Sequence, residues 1–441
     1  MAASVFDSPL HAQLFPTGEV DRLFSDSAAL RAMLLVEGAL AKAQGKAGII
    51  PEISAAAIHR ASLEIQIDPG ALAATTGTNG VPVPGLVAAF RSEMNAPEHA
   101  QFVHRGATSQ DIVDTGLMLR LRQVLLLAED DLRAVLTLLA DQAEAHAQTP
   151  MAARTWGQQA TPTSWGAVLA GWGMPLADAL EALPDLRNRS LWVSLSGAAG
   201  TASELGPDVP ALRAALAEGL GLHDPGRSWH TDRGPVQRIA SFMAGLTATL
   251  GGMGQTLTAL AATGIGEVQL SGAGASSTMP QKQNPVAPSA LAALAHQVSG
   301  LQAALHASAQ HQHQRDGAAW FTEWAVVPQI ALSTAAGLQI AKQVLSDLAP
   351  DPKTMRDGIT AGQDMVFAEA LSFALARDTP RPEAQAATKK LVQEALRTGS
   401  SLSAVARAAH PDLPDGLFDP EARMGEAPAA ARAFVARVRA L

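Results

Sequence analysis

The chain has 441 residues, no cysteine, no tyrosine and a formal net charge of −9. This excludes disulfides, thiolate nucleophiles, iron–sulfur clusters and cysteine-type zinc sites, and without a Lys/Arg-rich run it argues against nucleic acid as a partner. Only 17% of residues are charged, against about 25% in an average soluble protein, so the chain is expected to hide part of its surface in an oligomer.

In chain order, Met1 to Phe15 show no basic segment followed by an apolar one, so no secretory signal is read there. With the absence of cysteine this predicts a cytoplasmic protein. Asp68-Pro-Gly70 and Gly77 to Gly85 predict a loop inside an N-terminal helical region. From Gln110 to Asp141, Leu117, Leu121, Val124, Leu125, Leu132, Leu136 and Leu139 recur at helical spacing. Three stretches lack charge: Thr155 to Ala177, Ile239 to Gly266 and Gln283 to Gln314. Each is too long for a strand, which predicts helices buried on every side. The second is long enough to cross a bilayer, but its scattered Ser, Thr and Gln and its six glycines predict a buried soluble helix. Ala349-Pro-Asp-Pro-Lys353 closes the central block, and Arg377-Asp-Thr-Pro-Arg-Pro382 predicts a helix-to-helix turn. β-Branched runs are short, strand signals are nearly absent, and the chain reads as all-α, packed around a long helix bundle.

The densest polar segment, Ser271 to Pro288, reads SGAGASSTMPQKQNPVAP. Its glycines and prolines predict little regular structure, and it carries Ser276, Ser277, Thr278, Lys282 and Asn284. A hydroxyl can trade a proton with carbon only if positive charge or donors stabilise its alkoxide, and Lys282 is the nearby supplier. The same serines would also suit a helix-capping loop. His306, His311 and His313 invite a metal, with His306 and His313 on one helical face. No Asp or Glu lies in that run, and no metal is expected there. Arg315, just beyond, is the better substrate contact. His146 is expected on a helix surface, and Trp320 and Trp324 in core packing.

Ala275-Ser-Ser-Thr-Met-Pro-Gln-Lys-Gln-Asn-Pro285 resembles the signature loop GSSxMPxKxNP of the fumarase/aspartase superfamily. Gly106-Ala-Thr-Ser-Gln-Asp-Ile-Val-Asp-Thr115 and Arg154-Thr-Trp-Gly-Gln-Gln-Ala-Thr-Pro162 resemble its first and second conserved segments, in the right order. The resemblance implies three helical domains, here 1–105, 106–350 and 351–441. It implies a homotetramer whose central bundles form a twenty-helix core, with each active site assembled from three subunits. It implies a small-molecule substrate, no cofactor or metal, and no nucleic-acid or membrane partner. It assigns proton transfer to Ser276. Lys282 and Asn284 would hold the carboxylate whose charge grows in an aci-carboxylate intermediate, while Thr108, Ser109 and Gln158 grip other carboxylates. His104, Arg105, Trp156, Ser277, Met279 and Arg315 complete the expected set of substrate contacts.

In the fumarate-releasing branches the second segment reads T-H-x-Q, the His backed by a Glu shortly after the NP. Trp156 and Ser289 occupy those places here, and neither can titrate as that pair does. An amine or hydroxide leaving group would then lack its acid, whereas a carboxylate leaves unaided. The resemblance therefore points to a lactone-forming cycloisomerase branch acting on a tricarboxylate. Val103 to Asp111, Trp229-His-Thr231 and Trp320-Phe-Thr-Glu-Trp324 agree with it. Ala275, Gln281 and Gln283 depart from the Gly, His and Arg usual in that branch. Ala275 is expected to restrict the loop, and Arg105 to restore part of the lost charge. The alternatives are a fumarate-releasing lyase, such as one acting on adenylosuccinate, and a catalytically weakened scaffold.

Overall fold

The computed structural model describes residues 4–270, 274–275, 278–279 and 281–441. It is 67% helical. The order is α1 (Asp26–Lys46), α2 (Glu52–Glu64), α3 (Ala73–Asn79), α4 (Val83–Glu93), α5 (Pro97–Ala100) and α6 (Ser109–Ala145). A hairpin, β1 (Pro150–Thr155) and β2 (Gln158–Ser164), precedes α7 (Trp165–Ser190), α8 (Val209–Leu220) and α9 (Gly234–Leu260). Then come β3 (Val268–Leu270), β4 (Gly274–Ala275), β5 (Gln283–Asn284), α10 (Val286–Ala307), α11 (Gly317–Asp347) and β6 (Leu348–Pro350). Helices α12 (Pro352–Ala361), α13 (Ala368–Leu375), α14 (Arg381–Thr398), α15 (Leu402–Ala409) and α16 (Ala427–Ala440) end the chain.

The residues divide into two compact units. Unit 1 holds Met1–Asp131, Glu181–Ala248 and Ala293–Gln339. One apolar cluster runs through it, joining Leu34 and Leu40 of α1, Ile58 of α2, Phe90 of α4, Leu121 and Leu125 of α6, Met243 of α9 and Ile330 of α11. Helix α1 starts where the Ser25 hydroxyl accepts from the Ala28 amide at 3.2 Å. Unit 2 holds Leu132–Leu180, Thr249–Ala292 and Ile340–Leu441. Leu371, Ala395, Leu402 and Leu417 form one of its clusters, and Ala152, Ile359 and Phe367 another around the hairpin.

The all-α reading holds, with local corrections. The stretch from Thr155 is not helical until Trp165, because Trp156 and Gly157, at φ 54° and 75°, make a two-residue turn that sends the chain back as β2. Residues 77–85 are mostly helical. Gly80, at φ 70°, ends α3, and Pro84 sits in the first turn of α4, where its missing N–H costs nothing. The polar loop contains a short pairing, Gly274 with Asn284 and Ala275 with Gln283. Ala275 is thus extended and the expected restriction does not arise. Helix α10 stops at Ala307, so His313 leaves the helix, at φ 52°, and shares no face with His306. The uncharged α9 is not buried all round within one chain, since Ser241, Gly245, Ala248, Gly252, Gln255 and Ala259 are exposed. Among the described residues the helix long and apolar enough to cross a membrane is α11, and 72% of its apolar window is buried inside the protein, as in a core helix. The turn at 377–382 lies between α13 and α14 as expected.

Candidate active site

In unit 1 the site grows from the first turn of α6. Thr108 precedes the helix, and its amide donates to Asp111 Oδ2 at 3.1 Å, half of a capping box. Asp111 is completely buried and is the hub of this end. It accepts from the Ser196 amide (2.8 Å), the Gly197 amide (2.9 Å), the Ser194 hydroxyl (3.1 Å) and His230 Nε2 (2.8 Å). It thereby fixes the 194–197 segment against the helix start. Gly106 is required beside it, since it sits at φ 72° and an added Cβ would fall 2.4 Å from the Glu204 carbonyl oxygen.

On this support stands Arg315. Its Nε donates to Gln110 Oε1 at 2.8 Å, and a terminal nitrogen donates to Thr108 Oγ1 (3.2 Å) and the Ala198 carbonyl (3.1 Å). Gln110 is held from its other end by the His230 carbonyl at 2.9 Å and Asp114 at 3.2 Å. Behind it lies a fully buried ion network. Arg233 donates to Asp114 at 2.7 and 3.1 Å and to Glu323 at 2.8 and 2.6 Å, while Trp320 Nε1 reaches Asp114 at 3.2 Å. Burial lowers the Arg233 pKa, but Asp114 and Glu323 outweigh it and the net shift is upward. Burial raises that of Glu323, partly opposed by Arg233. Trp320 is buried and packs against Trp324, their ring centroids 4.8 Å apart and tilted by 58°, the packing role expected. A cleft of about 350 Å³ opens among Arg105, Gly106, Ala107, Gly197, Ala198 and Glu204.

Of the predicted contacts, Thr108 and Arg315 are therefore brought together. Ser109 is the first residue of α6, and Arg105 is exposed at the cleft. His104, at φ 63°, turns its Nδ1 to Glu37 Oε1 at 2.7 Å, and Glu37 is 2% exposed with its other oxygen unpartnered. Burial pulls the His104 pKa down, but the Glu37 hydrogen bond and charge, with Asp111, carry it above its ordinary value. A raised pKa means the folded state holds the proton more tightly. The pair's stabilisation is then full below about pH 6.5 and fades as pH rises through the folded value. Melting curves of wild type and Glu37→Gln are expected to differ most near pH 6 and to converge by pH 9. A gap that ignores pH would remove this assignment. His311 is half-buried, its pKa lowered by burial and then by Arg233, and His146 meets Thr149 Oγ1 at 3.1 Å. Among the described residues no group of side chains could hold a metal.

In unit 2 the hairpin carries Trp156, wholly exposed at its tip, and Gln158, exposed on the first residue of β2. Two residues before the tip, Arg154 ties the hairpin to the buried Glu267, its two terminal nitrogens donating at 2.8 and 2.7 Å. Glu267 immediately precedes β3, which leads into the signature loop. In that loop Lys282 and Met279 are exposed and Asn284 is half-buried in β5. Ser276 and Ser277 lie outside the described residues. A cavity of about 460 Å³ lies among Thr161, Phe367, Phe373, Arg377 and Arg423 and holds none of the predicted residues.

Sequence reasoning missed Asp114, Glu323, Arg233 and Glu37, and the hub role of Asp111. Two carboxylates, Asp111 and Asp114, three residues apart on one face of the opening of α6 were the available signal.

A family model described as "Lyase" matches residues 16–300, and the chain belongs to that family. Across 441 aligned residues it is 38% identical to the 3-carboxy-cis,cis-muconate cycloisomerase of Pseudomonas aeruginosa, covering 97% of this chain and 95% of that one. The crystal structure of the 3-carboxy-cis,cis-muconate lactonizing enzyme from Pseudomonas putida superposes with a TM-score of 0.90 at 34% identity, over 98% of this chain and 99% of that one. The nitrosuccinate lyase of Streptomyces davaonensis is 34% identical, covering 97% and 94%.

Proposed function

We propose that the protein is a cofactor-free cycloisomerase that closes 3-carboxy-cis,cis-muconate to 4-carboxymuconolactone in protocatechuate breakdown, acting as a cytoplasmic homotetramer. The observation that carries this reading is the hairpin tip. The place that would hold an acid for a poor leaving group presents an exposed, non-titrating Trp156. The partner position is equally inert, because the Ser289 hydroxyl donates to the Pro285 carbonyl at 2.8 Å. Full-length likeness to two enzymes of that name supports it.

In this reaction a substrate carboxylate oxygen bonds to an alkene carbon. The electron pair of the double bond moves to the neighbouring carbon and into its carboxylate as an aci-carboxylate. Ser276 gives that carbon a proton, and water reloads the alkoxide left beside Lys282. Lys282 and Asn284 hold the growing dianion. Arg315 with Thr108 and Ser109 grips a second carboxylate, with His104 and Arg105 adding positive charge. Gln158 grips a further carboxylate, and Trp156, Ser277 and Met279 close around the diene. Electrons balance without any redox partner. The exposed, uncharged residues along α9, and Ser289, Ala293, Gly300 and Ala303 along α10, support a tetramer in which other copies cover them and complete each site. The division 1–105, 106–350 and 351–441 remains our proposal for the domains.

A second reading is elimination of a different stable anion. The 34% identity to nitrosuccinate lyase favours it, since nitrite too departs without an acid. The test is the ultraviolet absorbance of the conjugated diene. Decay in proportion to enzyme is expected with 3-carboxy-cis,cis-muconate. Silence there with nitrite released from nitrosuccinate would transfer the assignment.

A further inference from the structure

Unit 1 contains a second cavity that holds neither Thr108, Gln110 nor Arg315 and meets the ion network behind them only at Glu323. It holds about 270 Å³ between α1, α6 and α11, with walls from Phe24, Ala29, Met33, Leu117, Trp324 and Val327. That is small for a ligand pocket, near the lower end of the roughly 300–1,000 Å³ range. Its one cation is Arg120, three turns into α6. Nε of this guanidinium is buried with no partner. One terminal nitrogen reaches only the Leu23 carbonyl, at a long 3.4 Å, and the group lies 5.6 Å from the Phe24 ring centre. The two carboxylates at the cavity do not neutralise it. Glu323 spends both oxygens on Arg233, and Asp26 is exposed in the first turn of α1. Burial accordingly pushes the Arg120 pKa down to about 10 with no carboxylate offsetting it.

Buried charges in proteins are paired, and arginine cannot shed its proton to escape the penalty. A guanidinium left without a counter-charge, at the edge of an apolar cavity, is a site short of an anion. We propose that this cavity binds a small monocarboxylate with an apolar, ring-sized body, its carboxylate on Arg120 and its body against Trp324, Met33 and Leu117. A carboxylate accepts from Nε and a terminal nitrogen together, the fork geometry guanidinium favours. The apolar walls reject highly charged acids such as the tricarboxylate substrate, so this site and the catalytic one select different ligands.

Calorimetric titration of sodium benzoate into the full-length protein tests this. Saturable binding at one site per chain is expected, at least tenfold weaker in Arg120→Met. Ala29→Phe, which fills the cavity and keeps the cation, is expected to weaken it equally. Benzamide, the neutral isostere, is expected to bind at least tenfold less tightly than benzoate. Arg120→Met should melt no lower than wild type, because it removes a half-buried charge that no carboxylate offsets, so its lost binding cannot be blamed on misfolding. Binding should survive Arg315→Ala. Absence of saturable heat, indifference to both cavity variants, or loss of binding in Arg315→Ala would each overturn the proposal.

Discussion

Ser276→Ala is expected to lower kcat for 3-carboxy-cis,cis-muconate by about 10²- to 10⁴-fold, the range that a positioned proton donor contributes. KM should change little, because the proposed mechanism gives the carboxylates to Lys282, Asn284, Arg315 and Thr108 and not to the hydroxyl. The carbon next to the aci-carboxylate must receive a proton from one face, and water entering in place of the hydroxyl would deliver it without that orientation. The diene absorbance at saturating substrate gives kcat directly, and an unchanged melting curve shows that the fold survives. A variant keeping more than about a tenth of the wild-type kcat would take Ser276 out of proton transfer and leave it a capping residue. The family membership would stand in either case, which separates the fate of this residue from that of the fold.

The largest stability effect is expected at Arg233. Its guanidinium, fully buried, joins Asp114 and Glu323 at 2.6 to 3.1 Å and lies 4.9 Å from the Trp229 ring centre. Arg233→Met leaves two buried carboxylates facing each other without a cation. Breaking a buried pair in this way costs about 3–5 kcal/mol. Asp114 also bonds Gln110, which orients Arg315, so the variant should raise KM as well as lower the melting temperature. Adding Asp114→Asn and Glu323→Gln to Arg233→Met is expected to recover part of the stability, since the penalty lies in stranded charge and not in lost volume. Equal stability of the single and triple variants would show that the ion network is not what holds this end of α6.

Much of this was legible in the chain itself. Leu117 to Leu139 at helical spacing announced α6, and the uncharged stretches announced α9 and α10, because periodicity and absence of charge are local properties. The signature loop and the two conserved segments named the chemistry for the same reason, since each is a run of adjacent residues. Three-dimensional partners were not legible. Arg233 meets Glu323 across 90 positions and Asp111 meets His230 across 119, and no spacing rule links such distances. The hairpin at 150–164 escaped because its turn rests on positive φ at Trp156, a conformation that an aromatic side chain disfavours locally and that goes with the pairing of Thr155 to Gln158 across the turn.

The amino-acid order by itself determined an all-helical body, a serine-bearing loop with its lysine, and a second segment lacking the usual imidazole. Those depend on which side chains stand next to one another along the backbone. Only the tertiary structure decided that Asp111 anchors the site, that Arg315 is braced by Gln110 and Thr108, and that Arg120 is stranded beside a cavity. Pairing and burial of charge arise when distant segments exclude water together, and that is a property of the folded chain.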